Sequence, residues 1–70
     1  MNFSQKLRSA RLENRMNQAE LARASGLTRA VISKWESGKG KSPSAVHVLR
    51  VAKTLDVSPQ WLLEKERMML

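Results

Sequence analysis

The amino-acid sequence predicts an all-α fold, a compact arrangement of five short helices, and three observations carry that prediction. Apolar residues recur three and four apart in the longer segments, cap residues stand before four of the five, and no segment alternates with the two-residue period of a strand. With seventy residues the chain is expected to build one domain, because a chain this short buries one modest core.

Phe3, Leu7 and Ala10 share one face of a first helix over residues 3–14, with Asn2 as its N-cap. Asn17 caps a second helix, 18–25, whose Leu21, Ala22 and Ser25 line one face before Gly26 ends it. Thr28 caps a third, 29–37, which buries Ile32 and Trp35, places Val31 partly in the core, and turns Arg29, Ala30, Ser33 and Lys34 outward. The run Ser37-Gly38-Lys39-Gly40-Lys41-Ser42-Pro43-Ser44 is a cluster of helix breakers and reads as a loop. A fourth helix, 45–55, follows with a stripe of Ala45, Val48, Leu49, Ala52 and Leu55, and leaves at Asp56. Ser58-Pro59 opens a fifth, 59–64, which carries Trp61, Leu62 and Leu63 ahead of a tail over 65–70.

Composition removes several function classes. There is no cysteine, so neither a disulfide framework nor a thiolate metal site is available, and His47 alone cannot complete a zinc shell. No cofactor, metal or small-molecule substrate is expected. Apolar runs reach only three residues, as at 61–63 and 68–70, far short of a membrane span or a signal-peptide core, which predicts a cytoplasmic chain with no membrane partner. The net charge is +7, and residues 1–41 carry nine basic and three acidic residues, nine minus three giving +6. That asymmetry points to a polyanion facing the first half, since neutralising phosphates releases counterions.

Two short helices joined at Gly26 meet the needs of a helix-turn-helix. The close crossing demands a small residue, which Ala22 supplies, and the turn demands one that tolerates positive φ, which Gly26 supplies. Leu21, Leu27, Ile32 and Trp35 provide the shared core.

On these residues the chain resembles a known family. Gln18-Ala19-Glu20-Leu21-Ala22, Gly26-Leu27-Thr28 and Ile32-Ser33-Lys34-Trp35-Glu36-Ser37-Gly38 look like the lambdoid phage repressor and Cro family of XRE-type helix-turn-helix domains. The segment Asp56-Val57-Ser58-Pro59-Gln60-Trp61-Leu62-Leu63 resembles that family's closing helix, so the likeness covers nearly the whole chain. It implies a five-helix fold that binds double-stranded DNA as a symmetric homodimer, on an operator with half-sites about 34 Å apart.

The resemblance also implies roles for particular positions. Arg29, Ala30, Ser33 and Lys34 match those that enter the major groove. There Arg29 and Lys34 suit guanine O6 and N7, Ala30 a thymine methyl, and Ser33 several bases. For Arg29 a phosphate is the competing partner, and Ser33 is compatible with merely fitting the groove. Gln18, Asn17, Thr28, Lys39, Lys41 and Ser42 match positions at the DNA backbone, with helix N-termini favouring the anion and Thr28 serving first as a cap. Arg11 and Glu36 match a buried ion pair that joins the first helix to the third. Trp61, Leu62, Met68 and Met69 are the expected dimer surface, because the family dimerises near that end and the tail is an apolar surplus.

The sequence departs from the family at four places. Ser42 and Ser44 stand where some members have arginine, which weakens the loop's charge. Arg15 and Asp56 stand where many turn with glycine, which predicts strained or rearranged turns there.

Other readings fail on chemistry. Gly40-Lys41-Ser42 lacks the glycine a P-loop needs five residues earlier, where Trp35 stands. His47 sits among Val46 and Val48 and reads as an ordinary helix-face residue, so the chain is not expected to be an enzyme. Trp35 and Trp61 fall on apolar faces and read as core packing, not as platforms for single strands. The sequence therefore reads as a phage or bacterial repressor that occupies its operator. The alternative is an antitoxin or controller whose main role is to bind a partner protein. The length fits either a complete Cro-like protein or the DNA-binding part of a longer repressor.

Overall fold

The computed structural model describes residues 2–38 and 44–64. They form five helices and no strand: α1 Phe3–Glu13, α2 Gln18–Ser25, α3 Arg29–Ser37, α4 Ala45–Leu55 and α5 Pro59–Leu63. Two ends fall one residue short of expectation. Asn14 is the C-cap of α1, and Glu64 follows α5 in extended conformation.

Local side-chain chemistry starts each helix. Asn2 and Asn17 each form a reciprocal capping box, Asn2 with Gln5 and Asn17 with Glu20, which satisfies donors that the first turn leaves free. Thr28, Ser44 and Ser58 cap α3, α4 and α5 by accepting from the backbone N–H three residues on. Among the described residues, four positions have left-handed backbone: Gly26 and Gly38 at φ 74°, Arg15 at 57° and Asp56 at 56°. The two non-glycine turns bear out the strain expected there, since a Cβ in this region costs about 1–2 kcal/mol.

The core gathers residues from every helix: Leu7 and Ala10 of α1, Leu21 and Ala22 of α2, Ile32 and Trp35 of α3, Val48, Val51, Ala52 and Leu55 of α4, and Leu62 of α5. Each fully buried aliphatic side chain contributes about 1.5–3 kcal/mol relative to exposure. Phe3, Met16, Leu27, Val31 and Val57 close its edges.

Three expectations are corrected here. The α4 stripe is shifted: Ala45 and Leu49 are exposed, Leu49 at 55%, and Val51 is buried with Val48, Ala52 and Leu55. Residues 45 and 49 lie about 60° and about 100° round the helix from Val48 on one flank, and residue 51 lies on the other. Trp61 does not join the core: it is 37% exposed, whereas Trp35 is buried. Leu62, expected on a dimer surface, is fully buried and unavailable to a partner, and Leu63 on the same short helix is the exposed leucine instead.

Candidate nucleic-acid interface

Burial of one side of α3 decides what its other side presents. Ile32 and Trp35 hold the helix in the core, so Arg29, Ala30, Ser33 and Lys34 all lie exposed along its outward side. The row carries two cations, a hydroxyl and a methyl, and no acidic group. Such a surface suits the edges of base pairs and the phosphates beside them.

Contacts at both ends fix the direction of α3. At its start, Leu27 N donates to Ala22 O at 2.8 Å across the turn at Gly26. Gly26 adopts the left-handed backbone at φ 74°, and a Cβ there would stand 3.3 Å from Arg50 Nη1, the end of a flexible side chain. At its end, Ser4 Oγ donates to Trp35 O at 2.6 Å, and the Phe3 ring meets the Trp35 ring edge-on with centroids 5.7 Å apart. The half-buried His47 ring also lies near Trp35, with centroids 6.2 Å apart.

Arg11 and Glu36 lie beneath this surface with their side chains 10% and 6% exposed. Arg11 Nε donates to Glu36 Oε2 at 2.6 Å and Nη2 to Oε1 at 2.9 Å, a two-pronged contact that joins α1 to α3. Arg11 Nη1 donates to Met16 O at 2.8 Å, so the same guanidinium braces the strained turn at Arg15. Hydrogen bonding to Glu36 is the main influence holding the Arg11 guanidinium above its ordinary value. Burial opposes it and the carboxylate charge adds to it.

Gln18 stands at the first position of α2, half-buried, with Nε2 donating to Glu36 Oε1 at 3.3 Å. The start of α2 is thereby tied to the end of α3 through one carboxylate. Asn17 and Thr28 are exposed and occupied as caps, accepting from Glu20 N at 2.8 Å and Val31 N at 3.3 Å. Lys39, Lys41 and Ser42, and likewise Met68 and Met69 with the rest of the tail, lie outside the described residues.

Sequence reasoning passed over three side chains. Lys6 is buried and donates to Trp61 O and Glu64 O, each at 2.8 Å. Its signal was present, because Phe3, Lys6, Leu7 and Ala10 follow the spacing of one helical face. Ser4 and Asn14 make long-range bonds, to Trp35 O and Leu55 O, for which the local sequence holds no signal.

The sequence matches the family profile described as helix-turn-helix over residues 7–62, from Leu7 on α1 to Leu62 on α5. The chain belongs to the helix-turn-helix family. As an XRE-type helix-turn-helix protein it is a DNA-binding regulator of transcription and not an enzyme. Its fold is similar to that of the P22 c2 repressor, solved with a synthetic operator, at a TM-score of 0.85 and 27% identity over 94% of this chain and 98% of that one. The restriction-modification controller protein C.AhdI from Aeromonas hydrophila is 36% identical, with a TM-score of 0.80 over 87% of this chain and 91% of that one. A SinR protein/SinI protein complex also matches, with a TM-score of 0.86 and 28% identity over 90% of this chain and 61% of that one. Among the described residues no helix is long and apolar enough to cross a membrane.

Proposed function

We propose that this helix-turn-helix protein is a sequence-specific repressor of the phage or bacterial type, which works as one unit and occupies a pseudo-palindromic operator as a homodimer in the cytoplasm. The observation that carries this reading is the division of α3. Its buried side is locked to α1 and α2 while Arg29, Ala30, Ser33 and Lys34 stand free on the other side. A helix held that rigidly presents its side chains to a groove at little cost in entropy.

In this reading Arg29 and Lys34 donate to guanine edges, Ala30 meets a thymine methyl and Ser33 bonds a neighbouring base. Gln18, Asn17 and Thr28 hold the phosphates, with Lys39, Lys41 and Ser42 of the loop beside them. Gln18 has one amide hydrogen committed to Glu36 and the other free for a phosphate. The dimer surface comprises Trp61 and Leu63, with Met68 and Met69 of the tail. The likeness to a repressor solved with its operator supports the whole reading.

An antitoxin or controller whose main role is to bind a partner protein is the second reading, favoured by the likeness to a SinR protein/SinI protein complex. Selection of bound duplexes from a random pool at several salt concentrations separates the two. A specific repressor enriches a two-fold symmetric site with half-sites about 34 Å apart. Steep salt dependence with no enriched sequence would remove the repressor reading and favour a chain whose main business is a partner protein.

A further inference from the structure

α5 is too short to hold itself. It has five residues, no basic residue in its last turn, and a C-cap, Glu64, in extended conformation. A helix end of this kind leaves carbonyl oxygens without intrahelical donors. Here the donor comes from the far end of the chain. Lys6 of α1, only 6% exposed, sends its ammonium to Trp61 O and Glu64 O at 2.8 Å each, and the same nitrogen lies 5.5 Å from the centre of the Trp61 ring. A cation at these carbonyls complements the negative end of the helix and grips the Trp61 ring as well. A lysine is seldom buried this far without such partners.

The consequence reaches the surface. On α5 only Leu62 enters the core, while Trp61 and Leu63 on either side of it are 37% and 50% exposed. One buried leucine gives a five-residue helix a single core anchor. The two hydrogen bonds from Lys6, one to Trp61 O within α5 and one to Glu64 O just past its end, add a second attachment that opposes rotation of the helix about its axis.

We infer that Lys6 is a positioning residue for the α5 surface: by capping the carbonyls of α5 from α1, it fixes the direction in which Trp61 and Leu63 face a second copy of this chain. The inference rests on the proposed dimer. Lys6 is buried within the monomer, and in this assignment it acts through Trp61 and Leu63 and not by direct contact with DNA or the second copy. Its effect is confined to the arrangement of the two copies on their site.

The full chain, Lys6→Met and Lys6→Arg are titrated on the symmetric duplex enriched by selection and on the same duplex with one half scrambled. Amide hydrogen exchange is followed in each protein without DNA. Lys6→Met keeps binding to the single half-site within about twofold, loses tenfold or more on the complete site, and exchanges amides faster at residues 61–64 while those of α2 and α3 keep their protection. Lys6→Arg, which retains donors for the carbonyls, recovers most of the loss. Equal losses on both duplexes would make Lys6 an ordinary core residue and overturn the assignment, as would unchanged cooperativity in a folded Lys6→Met. An unsubstituted chain that binds the complete site no better than the half-site would instead remove the dimer, and the role of Lys6 with it.

Discussion

Arg11 grips Glu36 with two nitrogens, Nε to Oε2 at 2.6 Å and Nη2 to Oε1 at 2.9 Å, and spends its third on Met16 O. One guanidinium thereby joins the first helix to the end of the third and supports the turn into the second. Arg11→Met should cost about 3–5 kcal/mol in urea unfolding, because it strands the Glu36 carboxylate among buried groups. The double variant Arg11→Met with Glu36→Leu should be more stable than the single one, since no charge is left uncompensated.

The turn at Gly26 resists a side chain on two counts, its φ of 74° and the Arg50 Nη1 atom 3.3 Å from where a Cβ would stand. Gly26→Ala should cost about 1–2 kcal/mol, mostly from the backbone, since the end of a flexible arginine moves readily. At Arg15, where φ is 57°, the opposite change relieves strain. Arg15→Gly should raise the unfolding midpoint in thermal scans, by an amount equivalent to about 0.5–1 kcal/mol, after the added flexibility of glycine in the unfolded chain is offset.

Leu62 and Leu63 are neighbours with opposite roles, one fully buried and the other 50% exposed. Leu62→Ala should cost about 2–5 kcal/mol, as other buried leucine truncations do. Leu63→Ser should leave monomer stability within about 0.5 kcal/mol and should weaken binding to the two-half-site duplex alone. Chemical unfolding and duplex titration of the same two variants distinguish these outcomes.

Arg29 is exposed at the first position of α3, beside the capping Thr28. As a base contact it predicts that Arg29→Ala loses about 1–3 kcal/mol of discrimination at one symmetric pair of positions. A uniform loss over all sequences, with the salt slope reduced by about one, would assign it to a phosphate instead.

Features decided within one helical turn were legible in the sequence. Asn2, Asn17, Thr28 and Ser58 cap helices because their partners are three residues away, and Gly26 ends α2 because only the local backbone demands it. Periodicity likewise separated the buried from the outward side of α3. Features decided by which helices abut were not legible. Ser4 meets Trp35 O across 31 positions, Asn14 meets Leu55 O across 41 and Lys6 meets Trp61 O across 55, and nothing in the sequence near either partner signals the other. Leu49 and Trp61 were misplaced for a related reason. Each lies at the flank of an apolar stripe, where the neighbouring helix and not the residue's own hydrophobicity decides burial. For Arg11 and Glu36, 25 positions apart, only the family resemblance suggested a pair.

The proposed function rests on the outward side of α3 reading bases, and Lys34, exposed and one residue from the buried Trp35, tests that most directly. The measurement is the affinity of the full chain and of Lys34→Ala for the selected operator and every single-base variant of it at fixed salt. The expected result is that Lys34→Ala loses its preference at one position in each half-site, symmetrically placed, and keeps the preference everywhere else. A uniform weakening across all variants, or an unchanged pattern at every position, would contradict base recognition by this helix.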